Sequence, residues 1–227
     1  MDADPPSSRT PAPDPRDPSG RPAPPPLVIG VLGGIASGKS AVAHGLAGPE
    51  GEVVSADAIA HEVLEDPGVL ARLREHFGPG IFGPDGRVER PRLAERVFDP
   101  VEGPGNRRRL EGWTHPLVRD RIWARLEAAR AAGRPRVVLD VPLLLENDAQ
   151  HGLARACHVL VFVEVDAATR DRRARERRGW PEGDVARREK AQLPLEEKRA
   201  LADHSIPNHG SLEDLEQALA ELDRRLA

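Results

Sequence analysis

The 227 residues are enough for one sizeable core, and 39% apolar with 31% charged residues describes a water-soluble globular chain. The formal net charge of −4 excludes nucleic-acid binding by overall charge. A single cysteine, Cys157, excludes an internal disulfide or a thiolate metal cluster and fits a reducing cytoplasm, and no apolar run approaches the roughly 18 residues of a membrane span.

Residues 1–26 are dominated by proline and carry no large aliphatic or aromatic side chain after Met1. Such a segment buries too little apolar surface to offset its ordering entropy, so it is expected to be a disordered, solvated extension. A polyproline ligand for a partner domain is the alternative. Nothing in it has the apolar core of a secretion signal.

Order is expected to begin abruptly at Leu27. The run Leu27–Leu32 reads as a buried strand, and a helix follows from Lys39 to about Leu46. Glu52–Asp57 reads as a second strand, which places Asp57 at its C-terminal end. The region 58–133 reads as mostly helical, broken by the Gly/Pro-rich stretch 77–91. Within it Pro116 is expected at the first position of a helix, with Thr114 and His115 at its start. Further strands are expected at Arg136–Pro142, His158–Asp166 and His204–Asn208, with an arginine-rich helix after the fourth. A closing helix follows, capped by Ser211. Strands alternating with helices predict an α/β fold with a parallel sheet.

The turn after the first strand carries the clearest chemistry. Gly33–Ser40 match G-x-x-x-x-G-K-[ST], between a strand and a helix. Backbone N–H groups of Gly34, Ile35, Ala36, Ser37, Gly38 and Lys39 can converge on phosphate oxygens when few side chains obstruct them. The N–H of Ala41 extends the row, and the helix N-terminus adds partial positive charge. The chain has 30 arginines against three lysines, Lys39, Lys190 and Lys198. A lysine at position 39 is therefore selected rather than habitual, and its compact ammonium suits the β- and γ-phosphates of ATP. The Ser40 hydroxyl is the candidate Mg²⁺ ligand.

Asp57 is the candidate to orient an acceptor hydroxyl and take its proton late in phosphoryl transfer. It can also hold a metal-bound water, or simply cap the next helix. Asp140, at the end of the third strand, is a candidate second acid near the metal, a partner for Lys39, or a turn residue. In the arginine-rich helix, Arg173 and Arg177 share a face and are the candidate lid cations; a solvated helix is the bland reading of the whole cluster.

These segments together resemble the dephospho-CoA kinase family. The resemblance runs from about Leu27 to the C-terminus and rests on "IGVLGGIASGKSAVA", "SADAIAHEV", "LEGWTHPLV", "DVPLLLE", "RREKAQ" and "ADHSIPNHG". It implies a P-loop NTPase fold of three layers, with a five-stranded parallel sheet like that of nucleoside monophosphate kinases. A helical acceptor-binding region at 58–133 and a lid at about 167–192 would belong to one kinase domain, 27–227. The implied reaction moves the γ-phosphoryl group of ATP to the ribose 3′-hydroxyl of dephospho-CoA, with Mg²⁺, in the cytoplasm. No nucleic acid, membrane or obligate protein partner is expected. By the same resemblance Asp57 is the base, Arg173 and Arg177 are lid arginines, and Arg188 and Gln192 form the R-x-x-x-Q pair. Asn208 lies near the adenine, while His115 and Arg119 meet the acceptor. The chain departs from the pattern at Ser55, where the family often has a second acid, and at Leu32 and Ala41, where it often has threonine. Another P-loop kinase, or a nucleotide-binding adaptor without turnover, are the competing readings.

Overall fold

The computed structural model describes residues 24–226. The expected disordered extension therefore lies mostly in residues 1–23, outside the described residues. The elements follow in chain order: β1 (Leu27–Gly33), α1 (Lys39–Ala47), β2 (Glu52–Ser55), α2 (Ala56–Val63), α3 (Pro67–Phe77), α4 (Arg90–Val97) and α5 (Gly103–Ala131). After them come β3 (Arg136–Asp140), α6 (Asp148–His151), α7 (Leu153–Ala156), β4 (Val159–Glu164), α8 (Ala167–Arg178), α9 (Asp184–Glu189), α10 (Leu195–Ala200), β5 (His204–Pro207) and α11 (Leu212–Leu226). The expected break at 77–91 is a 3₁₀ turn at Pro79–Ile81 and a bridge between Phe82 and Val88.

The five strands form one parallel sheet in the order β2-β3-β1-β4-β5. A parallel sheet must be covered on both faces, and the side-chain period of two shows how this one is. Val28 and Leu32 of β1, Val137 and Leu139 of β3 and Phe162 of β4 point into the core beneath α2–α5. Ile29, Val31, Val138, Val161 and Val163 point to the opposite core, covered by α1 and α11. Gly30 belongs to the first face, where a Cβ would lie 2.8 Å from Cys157 Sγ, Leu144 and Leu160; the strand passes there only without a side chain.

Two local expectations are corrected. The second strand stops at Ser55, so Asp57 lies in the first turn of α2 rather than at a strand end. Ser55 Oγ accepts the Ala58 N–H at 3.3 Å and starts the helix early. The cap is thus Ser55, the residue that replaces an acid of the family pattern, and not Asp57. Pro116 lies inside α5, a helix of 29 residues, not at a helix start. A mid-helix proline costs about 3 kcal/mol. Here Leu110, Trp113, Leu117 and Val118 pack the flanking turns against the core, and that burial carries the helix through. The closing helix is capped as expected: Ser211 Oγ accepts the Asp214 N–H at 3.2 Å, and Asp214 accepts the Ser211 N–H at 2.7 Å. Among the described residues, no helix is long and apolar enough to cross a membrane.

Candidate active site

In an open parallel sheet, the loops at the carboxyl ends of the strands form the ligand crevice. Here the loops after β1 and β3 line a cavity of about 370 Å³, together with α8 and α10. Ile35, Ala36, Ser37, Gly38, Lys39, Ser40 and Ala41 all line it. Gly34 does not line it; a Cβ there would meet the side chains of Arg170 and Glu189.

The loop is held open by unusual backbone. Ala36 adopts φ 58°, a left-handed conformation that is uncommon away from glycine, and Gly38 adopts φ 85°. A Cβ on Gly38 would lie 2.4 Å from Asn208 Nδ2. Asn208, at the end of β5, is buried and donates from Nδ2 to Ser37 O at 2.8 Å. It thus ties the loop to β5 across 171 residues of chain. Asn208→Ala removes this bond and leaves a buried carbonyl unpaired, so a loss of about 1–3 kcal/mol in denaturant unfolding is expected. Unchanged unfolding would mean the loop holds its shape without Asn208.

Lys39 opens α1 and folds back over the loop. Its Nζ donates to Gly33 O at 3.1 Å and Gly34 O at 2.8 Å. Burial pushes its pKa down to about 8; Asp140 and Glu189 oppose the shift, while Lys198 and Arg178 add to it. A half-buried ammonium bonded only to carbonyl oxygens is poised for an anion. Ser40 Oγ donates to Asp140 Oδ2 at 2.5 Å, which joins the β1 loop to the end of β3. Both residues line the cavity.

Asp57 is exposed on α2 and lines the same cavity. From the arginine-rich helix, Arg173, Arg177 and Arg178 line it too. Arg173 is half-buried, and burial followed by the neighbouring charges of Arg177 and Arg172 lowers its pKa from the ordinary value. Arg170, one turn earlier, has a different task. It is 6% exposed, bonds Val165 O at 3.2 Å and pairs with Glu189 at 2.5 Å. Glu189 also accepts the Ile35 N–H at 2.7 Å, so the segment after α8 is pinned to the loop. Gly34 permits this approach, since a Cβ there would lie 2.7 Å from the Glu189 carboxylate.

The remaining candidates divide. Gln192 lines the cavity. Arg188 does not: it bonds Asp184 at 3.2 Å and stacks over Trp180 at 4.1 Å. His115 and Arg119 stand on α5 outside the cavity wall, with Arg119 bonded to Asp120 at 2.8 Å. Sequence reasoning passed over Lys198, Glu146 and Glu189. For Lys198 a signal existed, the rarity of lysine. The two glutamates lie in segments that carry the family resemblance, DVPLLLE and RREKAQ, but their partners lie far away in sequence and could not be read from it.

Comparison with known proteins bears on the family and the fold. The family model described as dephospho-CoA kinase matches residues 27–214. The dephospho-CoA kinase of Symbiobacterium thermophilum is 44% identical over 188 residues, covering 82% of this chain and 75% of that protein. The dephospho-CoA kinase of Thermobifida fusca is 41% identical over 206 residues, covering 88% and 98%. Among solved structures, TT1252 from Thermus thermophilus aligns with a TM-score of 0.67 at 36% identity, covering 89% of this chain and 98% of that one.

Proposed function

The chain belongs to the dephospho-CoA kinase family, whose members phosphorylate dephospho-CoA to make CoA, and on that basis we propose how its residues divide the reaction. The observation that carries the reading is the convergence of Lys39, Asp57, Asp140 and the α8 arginines on one cavity. ATP places its β- and γ-phosphates against the N–H groups of the loop, and Lys39 exchanges its two carbonyl partners for phosphate oxygens. The acceptor presents its ribose 3′-hydroxyl to Asp57. The bond from the γ-phosphorus to the bridging oxygen breaks as the bond to the 3′-oxygen forms. The hydroxyl proton passes to the Asp57 carboxylate and then to water, and ADP leaves. Arg173 and Arg177 close on the phosphates as lid cations and balance the charge that shifts toward the leaving oxygen.

Ser40 and Asp140 fit Mg²⁺. They are hard oxygen donors 2.5 Å apart at the loop. Among the described residues, no cluster of three acidic, histidine or cysteine side chains could hold a metal alone. A metal here would take its other ligands from phosphate and water, as Mg²⁺ does. Bound Mg²⁺ would neutralise the charge on the β- and γ-phosphate oxygens. Asn208 serves by fixing the loop through Ser37. We assign the face of α5 carrying His115 and Arg119 to the rest of the acceptor, which extends beyond its 3′-hydroxyl. We assign 167–192 to the lid and the cytoplasm as the compartment, where ATP is available and Cys157 stays reduced.

The test is ADP release against an acceptor panel. Release is expected with dephospho-CoA and none with its 3′-deoxy analogue, which competes as an inhibitor. ADP release with the analogue equal to that with dephospho-CoA would contradict transfer to the 3′-oxygen.

A further inference from the structure

Two of the chain's three lysines line the same cavity. Lys39 belongs to the loop pattern, whereas Lys198 belongs to no motif with an assigned role. It stands on α10, a helix packed beside β1, and is only 4% exposed. Few lysines are buried so deeply without a partner that holds the charge. Lys198 has two: its Nζ donates to Glu146 Oε1 at 2.7 Å and to Gln192 Oε1 at 3.2 Å. Glu146 Oε1 also accepts the Leu193 N–H at 3.2 Å, which fixes the approach to α10 against the loop after β3. An ammonium has three N–H donors. Among the described residues Glu146 and Gln192 are its two acceptors, so one donor is uncommitted.

Lys198 lines the cavity wall together with Lys39 and Ser40. Its charge is close enough to Lys39 to help push that group's pKa down. Around the cavity stand five cations, Lys39, Lys198, Arg173, Arg177 and Arg178, against the carboxylates Asp57, Asp140 and Glu146. Glu146 is engaged with Lys198 itself. The pair nonetheless costs burial of both charges, and an apolar pair would fill the same space. A wholly structural role does not explain why an arginine-rich chain keeps a compact ammonium at this spot, facing the cavity.

We propose that Lys198 is a second phosphate lysine, aimed by Glu146 and Gln192 so that its free N–H binds an oxygen of the phosphoryl group while it moves between ATP and the acceptor. This rests on the transfer reading above. No bond to nitrogen forms, and the ammonium keeps its three protons. Its service is to hold charge on the equatorial oxygens, which are exposed most in a loose transition state. Gln192, through its carbonyl oxygen, is a positioning residue for it.

The scarcity of lysine makes the test direct. Full-length protein labelled at the lysine ε-carbon and amine gives three side-chain signals, assigned by Lys190→Arg and Lys198→Arg. ADP, aluminium fluoride, Mg²⁺ and dephospho-CoA together mimic the moving phosphoryl group. Both the Lys39 and Lys198 signals are expected to shift relative to the same mixture without fluoride. A Lys39 shift with Lys198 unmoved overturns this inference alone. If neither moves, the transfer reading itself fails, and a Lys198 shift without Lys39 contradicts a shared phosphate.

Kinetics supply a second arm that a structural role would not reproduce. Lys198→Met is expected to lower kcat about 10²-fold while KM for ATP stays within about threefold. The double variant Lys198→Met/Glu146→Gln removes both buried charges, which restores stability but not turnover. Turnover of the double variant within about threefold of the parent would show that Lys198 only balances Glu146. If these variants fail to fold, the spectra of the unmutated side chain decide.

Discussion

Lys39→Met is expected to fold normally and to lose about 10²- to 10³-fold in turnover. The native side chain carries a stability cost. Its half-buried ammonium lies against two carbonyl oxygens, and desolvation holds its pKa near 8, against 10.5 for a free lysine. A lysine with a lowered folded pKa costs stability while it is charged. That cost is full below pH 8 and fades as pH rises from about 8 to 10.5, where only the unfolded chain still binds the proton. Methionine removes the charge, so thermal unfolding of the variant at pH 7 should be no lower than the parent's. The lost function is the attraction for phosphate.

The same shift gives a signature in binding. Phosphate favours the ammonium, so ADP binding at pH 8.5 should draw in protons, seen as a dependence of calorimetric heat on buffer ionisation. The uptake should vanish in Lys39→Met. A variant with near-parental turnover, or proton uptake that persists, would remove Lys39 from the site.

Asp57→Asn is expected to lower kcat by about 10²- to 10⁴-fold, with KM for ATP nearly unchanged. The side chain is exposed, and Ser55 rather than Asp57 caps α2, so the substitution should not disturb the fold. Asparagine keeps the shape and can still meet a hydroxyl, but it cannot take the proton. The defect should therefore lie in transfer and not in ATP binding. Equal losses of stability and activity would instead limit Asp57 to supporting the first turn of α2.

Much of the scaffold was legible because it obeys local rules. The apolar runs of β1, β3 and β4 alternate between two cores, and glycines and caps mark their ends. The phosphate loop was legible because its spacing and its rare lysine coincide. Asp57 was located to the right place but the wrong element, since a serine hydroxyl competes with the strand for the backbone at Ser55. Pro116 misled because local preference is weaker than the burial of the turns around it. The arginines show the limit most clearly. The i,i+4 spacing picked out Arg173 and Arg177, which do line the cavity, but nothing local distinguishes them from Arg170, which is buried against Glu189. Pairs such as Lys198 with Glu146, or Asn208 with Ser37, exist only once the chain is folded.

The central claim is that one cavity moves a phosphoryl group from ATP to the 3′-oxygen of dephospho-CoA with Asp57 taking the proton. Rapid-quench single turnover with γ-labelled ATP tests it most directly. With parent protein, the label should appear on the 3′-oxygen of CoA in one exponential phase. With Asp57→Asn, bound ATP should be unchanged and that phase slowed at least about 10²-fold. Label on water or another acceptor, or an Asp57→Asn phase as fast as the parent's, would contradict the account.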